Sequence, residues 1–175
     1  MLTPASKFLT QCNAYKNETS QPVWSELIYG LRHIQNLIYK QSYYDDFTKY
    51  CRHLLKQTQH EIGWKPDSND DHLTSLLRAQ ILLSAGQFDD LEVLDKAKFE
   101  LDNSLSNGHQ IPADLRRAIY VLAAKQGDQE LYDTFWDLHS KSSLQEEKVR
   151  LLSGLTQFKD DRLIAKTLDM ALSDD

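Results

Sequence analysis

Hydrophobic residues recur at intervals of three and four along most of the chain, which is the spacing of one face of an α-helix. In the first half, this pattern predicts a helix over residues 24–38, after Pro22, and a longer helix over residues 44–62 that Gly63 ends. No convincing strand pattern is found in either half. The pattern therefore predicts an all-α protein.

The second half is predicted to contain more regular helices with short connections. A strongly hydrophobic helix begins near Leu73 and is expected to stop at Ala85-Gly86, and another is predicted over residues 89–102. Residues 103–108 are predicted to form a loop. Pro112 suits the first position of the next helix, where its missing N–H costs nothing. Three further helix starts are predicted from capping residues, which are Asp128, Ser143 with Glu146 as a capping box, and Asp160.

The predicted helix starts recur at a nearly constant interval. Pro112 and Ser143 are 31 residues apart, and Asp128 and Asp160 are 32 residues apart. Such spacing is typical of stacked helix pairs in a solenoid, and the tetratricopeptide and ankyrin signatures are absent. We therefore predict one helical-repeat domain over residues 1–175, built as an α-α superhelix of antiparallel HEAT-like helix pairs with about nine helices.

Composition narrows the classes of protein that remain. The 175 residues include only 6 Gly and 4 Pro, which disfavours an all-β fold, and the net charge is −6 without a basic block, which argues against nucleic acid as a partner. No hydrophobic run reaches the roughly 20 residues that cross a membrane, and the start lacks signal-peptide features. Cys12 and Cys51 are predicted to be reduced core residues, so a cytoplasmic location is expected.

The search for chemistry finds no catalytic or metal-binding residue. The segment His60-Glu61-Ile62-Gly63-Trp64 begins like the zinc motif H-E-x-x-H, but Trp64 occupies the position of the second ligand. Arg78 lies in a hydrophobic helix and Arg116 follows Asp114 in a first helical turn. We expect these three residues to form structural salt bridges, with peptide binding as the alternative.

Several stretches, taken in order, resemble the C-terminal helical domain of zinc aminopeptidases of peptidase family M1, in particular the puromycin-sensitive and aminopeptidase N type. The stretches are Gly63-Trp64, residues 72–80, residues 111–116 with Tyr120, residues 145–148 and residues 168–173. The resemblance implies a HEAT-like superhelix and an incomplete part of a longer domain. It also implies that the zinc and the catalytic residues belong to an upstream catalytic domain, so this chain alone is expected to be inactive and to need no cofactor.

The resemblance further implies a parent enzyme that removes N-terminal residues from peptides. This domain would contact the catalytic domain, wall the substrate cavity and limit peptide access. No membrane contact is expected, since no hydrophobic run is long enough to cross a bilayer. The alternative is a free-standing α-solenoid that binds a protein or peptide. We also expect self-association through the last helix, around Leu163, Leu168 and Leu172, because a truncated solenoid exposes a hydrophobic face.

Overall fold

The computed structural model describes residues 5–172. This part of the chain contains nine α-helices and no β-strand, which confirms the all-α prediction. The chain divides into two compact units, with the boundary between Asp90 and Leu91. The prediction of a single repeat domain over residues 1–175 stays a prediction.

The first unit is built on three long helices that pack against one another. Its elements are α1 (Ala5–Cys12), a 3₁₀ turn (Asn13–Tyr15), α2 (Gln21–Ile38), α3 (Tyr44–Ile62) and α4 (His72–Gln87). Helix α2 packs against α3 and α4, and α3 packs against α4. The fully buried Trp24 anchors this core, and its Nε1 donates a hydrogen bond of 2.8 Å to the carbonyl oxygen of Glu18. The ring is thereby buried without leaving its N–H unsatisfied.

The second unit contains five helices around an aromatic core. They are α5 (Leu91–Asn107), α6 (Ala113–Ala124), α7 (Gln129–Lys141), α8 (Gln145–Leu155) and α9 (Asp161–Ala171). Helix α6 packs against α5 and α8, and α7 packs against α8. The rings of Tyr132 and Phe135 each contact that of Phe158 edge to face. Helices α6 and α8 begin 32 residues apart, at Ala113 and Gln145, so the predicted interval is present in the structure.

Four predicted helix ends are confirmed by the local geometry. Pro22 lies in the first turn of α2, and Gly63 ends α3 with a φ of +55°, which suits glycine because it has no side chain. Asp128 and Asp160 cap α7 and α9 by accepting hydrogen bonds from the N–H groups of Leu131 and Arg162. These signals worked because each depends on only a few neighbouring residues.

The predicted loop over residues 103–108 is wrong, because α5 continues to Asn107. Leu101 is buried just before this stretch, and the side chain of Asn107 donates to Oδ1 of Asn103 one turn earlier. Packing of the helix thus outweighs the loop preference of Asn and Ser. The helix gives way only before Gly108, which has a φ of +66°.

Three other predicted boundaries lie within two residues of the observed ones. Helix α4 ends at Gln87, one residue after Ala85-Gly86. Helix α5 starts at Leu91, two residues after the predicted start, and Asp89 has a φ of +63°, outside the helical range. The capping box of Ser143 and Glu146 does not form. Instead, Ser142 Oγ accepts from the N–H of Leu144, and α8 begins at Gln145.

The side chains predicted for the core and for self-association divide into buried and exposed groups. Cys12 and Cys51 are both buried and unpaired, which confirms that prediction, and burial raises the pKa of Cys51 to about 12. Leu163 is only 3% exposed and belongs to the core, so it offers no surface for self-association. Leu168 and Leu172 remain 57% and 82% exposed.

Candidate functional site

Arg78 lies in the middle of α4 with its side chain only 4% exposed. Its Nη2 is 2.7 Å from Oδ2 of Asp70, and its Nε donates a hydrogen bond of 3.0 Å to the carbonyl oxygen of Ile62. This carbonyl belongs to the last turn of α3, where helix carbonyls lack an intrahelical partner. A buried arginine needs such partners because an unpaired interior charge is costly. Arg78 therefore fastens the end of α3 and the following loop to α4.

The loop between α3 and α4 is held by its own carboxylates. Asp70 Oδ2 also accepts a hydrogen bond of 2.7 Å from the N–H of Asp67, and Asp67 Oδ1 accepts from the N–H of Asn69. Asp71 caps α4 by accepting from the N–H of Thr74, and this hydrogen bond is the main cause of the lowered pKa of Asp71. The acidic residues here act mainly as turn and helix caps.

A cleft of about 460 Å³ opens beside Arg78 within the first unit. It lies where the end of α3, the following loop and the start of α4 meet the segment before α2. Its lining is chemically mixed, with three threonines, the hydrophobic side chains of Ile62 and Leu77, and five charged residues, Glu61, Lys65, Asp67, Asp70 and Arg78. A site of this composition can hold a ligand that carries both positive and negative groups.

Arg116 in the second unit takes part in a larger polar cluster, formed with Tyr120, Glu147 and Arg150. Its Nε donates to the carbonyl oxygen of Ile111 at 3.3 Å, and its Nη1 is 3.3 Å from Oε2 of Glu147. Arg150 Nη1 also donates to Oε2 of Glu147, at 3.0 Å, and the hydroxyl of Tyr120 donates to Oε1 at 2.6 Å. Glu147 thus joins α6 to the first turn of α8.

The electrostatics of this cluster favour an ionised Glu147. Burial alone raises the pKa of Glu147, but the hydrogen bonds from Tyr120, Arg150 and Arg116 outweigh it, so the net pKa is lowered. The pKa of Tyr120 is raised, first by burial and then by its hydrogen bond to the Glu147 carboxylate. Tyr120 therefore stays a neutral donor and Glu147 a charged acceptor over the ordinary pH range.

Asp114 does not join this cluster. It is exposed in the first turn of α6 and forms no ion pair with any residue in the range 5–172. Residues two apart on a helix do not face each other, which explains why Asp114 does not pair with Arg116. Its position near the helix N-terminus is nevertheless favourable because the helix dipole is positive there. The alternative, that Arg78, Asp114 or Arg116 contacts a peptide, stays a prediction.

The partners of both arginines escaped the sequence analysis. Asp70 lies in the loop before α4, and Tyr120 and Glu147 lie in stretches that carry the resemblance to the aminopeptidase domain. One signal could have found Glu147. It lies 31 residues after Arg116, close to the interval between repeated helix starts, so the two residues occupy corresponding first turns of α6 and α8.

The residues near the incomplete zinc motif do not fit a zinc ion. Helix α3 ends at Ile62, and the positive φ of Gly63 takes Trp64 off the helix face that carries His60. Within residues 5–172, no three His, Cys, Asp or Glu side chains are grouped so that they could hold a metal ion. No step that uses a metal is therefore assigned to this part of the chain.

None of the helices in the described part of the chain is both long and hydrophobic enough to span a membrane.

The fold and these polar contacts define an all-helical protein whose two central arginines join helices and loops. Residues 2–175 match the ERAP1-like C-terminal domain, and the chain belongs to that family. The chain is 27% identical to aminopeptidase M1 of Arabidopsis thaliana over 97% of its own length, which is 20% of that protein. It is 29% identical to glutamyl aminopeptidase of Mus musculus over 89% of its own length, which is 16% of that protein.

A third relative extends the same likeness to yeast. Aminopeptidase 2, mitochondrial, of Saccharomyces cerevisiae is 24% identical over 95% of this chain and 18% of that protein. The chain therefore spans about a fifth or less of the length of the curated relatives that it matches.

Proposed function

We propose that this chain is a non-catalytic helical domain of an aminopeptidase, a larger protein that removes N-terminal residues from peptides. The observation that carries the proposal is the family match over residues 2–175, together with relatives that are named aminopeptidases and are about five times longer. In this proposal, the main partner of the domain is the catalytic domain of the same polypeptide.

The arrangement of polar residues favours a structural role for this domain rather than a catalytic one. Arg78 and Arg116 both have structural partners, and the incomplete zinc motif does not fit a metal ion. The zinc that the resemblance implies is therefore assigned to the catalytic domain. A cytoplasmic location, which the two unpaired cysteines favour, stays a prediction.

We also propose that the domain forms a HEAT-like wall of the substrate cavity and limits access by long peptides. The regular interval between helix starts in the second unit supports this view. Arg116 is the candidate for contact with a long peptide in this cavity because its side chain is 34% exposed.

An exchange experiment tests whether this domain forms a wall of the substrate cavity. This chain replaces the matching segment of Arabidopsis thaliana aminopeptidase M1, and kcat/KM is measured for an aminoacyl coumarin amide and for peptides of increasing length. We expect hydrolysis of the small amide to be retained and the dependence on peptide length to change. An unchanged length dependence in a folded, active chimaera would contradict the wall and would favour a free-standing peptide-binding solenoid.

Two arginine variants refine the same experiment. Arg116→Ala in the chimaera is expected to alter kcat/KM for long peptides more than for the small amide. Arg162→Ala is the matched control because Arg162 is exposed and, within residues 5–172, its ion-pair partner is Asp160 at the start of α9. Equal effects of the two substitutions would show that Arg116 does not contact the peptide.

Self-association through α9 is a further proposal about partners. Leu168 and Leu172 support it because large exposed hydrophobic side chains favour association, while Leu163 is excluded by its burial. Light scattering over a range of concentrations is expected to show a rise in mass that Leu168→Ser with Leu172→Ser abolishes. A constant monomer mass for the unsubstituted chain would overturn this proposal.

A further inference from the structure

We infer that the cleft beside Arg78 binds a small zwitterion, namely a free α-amino acid or a dipeptide. The carboxylate of the ligand would meet Arg78 and Lys65, and its ammonium group would meet Glu61 and Asp67. This inference concerns a binding site within the first unit and does not depend on the proposed function.

The positive side of the site is built around an arginine that still has hydrogen-bond donors to offer. Nε and Nη2 of Arg78 are engaged by Ile62 and Asp70, but Nη1 has no hydrogen-bond partner among residues 5–172. The side chain is enclosed and lines the cleft. A carboxylate would bind favourably at this place because it would accept a hydrogen bond from a charged donor. Lys65, exposed at the rim of the same cleft, adds a second positive charge.

The negative side of the site has free acceptor atoms. One oxygen of Asp67 accepts from Asn69, and one oxygen of Glu61 accepts from the side chain of Gln57 at 3.0 Å. The second oxygen of each carboxylate, Oδ2 of Asp67 and Oε2 of Glu61, has no hydrogen-bond partner in the described part of the chain. An ammonium group carries three donors and can be shared between two such oxygens.

The balance of charge distinguishes a zwitterion from simpler ligands. Three carboxylates and two cations line the cleft, so a plain anion would meet a net negative lining. A plain cation would leave the donors of Arg78 unused. A zwitterion satisfies both sides at once, because its two charges are of opposite sign and lie within one small molecule.

The size and the remaining surface of the cleft agree with this class of ligand. A volume of about 460 Å³ lies within the range of about 300 to 1,000 Å³ that is typical of small-molecule sites. Ile62 and Leu77 supply a hydrophobic contact for an aliphatic side chain, and the threonines supply hydroxyl groups that can either donate or accept. Alanyl-alanine is therefore a suitable probe.

Blocked peptides test the charge requirement directly. Calorimetric titration of the full chain with alanyl-alanine is compared with N-acetyl-alanyl-alanine, which lacks the ammonium group, and with alanyl-alanine amide, which lacks the carboxylate. We expect saturable binding of alanyl-alanine and at least about tenfold weaker binding of both blocked peptides. Absence of binding by alanyl-alanine, or equal binding of all three peptides, would overturn the inference.

Rim variants locate the site without disturbing Arg78, whose loss could unfold the unit. Glu61→Gln and Lys65→Ala are each expected to weaken alanyl-alanine binding by about three- to tenfold, the effect of losing one exposed charge contact. Asp46→Asn and Lys49→Ala are matched controls on the exposed surface of α3, outside the cleft. Unchanged affinity in both rim variants would contradict the inference. Since the titration measures no hydrolysis, its failure would leave the proposed function untouched.

Discussion

Arg78 in the first unit and Arg116 in the second use the same contacts in different surroundings. Each Nε donates to a main-chain carbonyl oxygen that precedes its own helix, that of Ile62 at the end of α3 for Arg78 and that of Ile111 shortly before α6 for Arg116. Each guanidinium also pairs with a carboxylate. Arg78 is enclosed and has a single carboxylate partner in a loop. Arg116 is a third exposed, and its carboxylate is shared with Arg150 and Tyr120. Burial, more than the number of contacts, should therefore decide what each arginine contributes to stability.

The largest expected effect comes from removing the two arginines one at a time. Arg78→Ala should lower the free energy of unfolding by about 3 to 5 kcal/mol, because it leaves Asp70 and the Ile62 carbonyl without their buried partner. Arg116→Ala should cost about 1 kcal/mol, since water can reach the site and Arg150 still pairs with Glu147. Urea unfolding measures both values.

Hydrogen exchange read separately in each unit provides the control for this comparison. The loss of protection in Arg78→Ala should be concentrated in α3 and α4, and that in Arg116→Ala in α6 and α8. A cost for Arg116→Ala equal to or above that for Arg78→Ala would show that the shared cluster matters more than burial.

Two helical glycines extend the comparison to packing. A Cβ added at Gly154 would lie 2.6 Å from the ring of Phe135 and 3.3 Å from the carbonyl oxygen of Tyr120, in the core of the second unit. At Gly30, the three atoms nearest to the added Cβ would all belong to the ring of Phe8, the closest at 2.5 Å. Because Phe135 is fully buried and Phe8 is not, Gly154→Ala should destabilise by about 1 to 3 kcal/mol and Gly30→Ala by less.

Thermal unfolding of the two alanine variants measures this difference. A larger loss of stability in Gly30→Ala would mean that the ring of Phe8 is held as firmly as that of Phe135.

Helix caps allow a comparison in which burial plays little part. Asp71 caps α4 in the first unit, and Asp160 caps α9 in the second, each through an exposed hydrogen bond to a backbone N–H. Replacement of either residue by Ala should cost about 1 kcal/mol, and the two costs should be similar because both caps are exposed. Chemical denaturation measures both, and Ser at the same positions should restore most of the loss.

The smallest effect is expected from the titration of Glu147. Its pKa is lowered in the folded state, so its contribution is fully present above the unfolded pKa of about 4.3 and is lost as pH falls through the lower folded value. Glu147→Gln should therefore reduce the acid sensitivity of stability below about pH 5. Glu146→Gln is the control, since Glu146 is exposed and its ion-pair partner among the residues that the structure describes is Arg150. Identical pH profiles for the two variants would contradict the role of the cluster.

The helical fold could be predicted from sequence because its signals are local. Spacing of hydrophobic residues, the caps at Asp128 and Asp160, and the stop at Gly63 all depend on near neighbours. The end of α5 could not be predicted in this way. Its polar residues favour a loop, but the helix continues past the buried Leu101 to Asn107, and this packing is not visible from local sequence.

The candidate sites were less predictable because they depend on distant contacts. Arg78 and Arg116 were identifiable as charged residues in hydrophobic helices, but their partners required the fold. Asp70 reaches Arg78 from a loop, and Glu147 reaches Arg116 from another helix. The cleft beside Arg78 combines residues from four segments, and no pattern along the chain indicates that they meet.

The most direct test of the account is an assay of peptide hydrolysis by this chain alone, with zinc added. A purified preparation is incubated with an aminoacyl coumarin amide and with short peptides, and a relative such as aminopeptidase M1 of Arabidopsis thaliana serves as the positive control. We expect no turnover above background, because we propose that the catalytic groups belong to the catalytic domain of the larger aminopeptidase. Steady turnover that co-purifies with the chain and is lost when the zinc is chelated would contradict it.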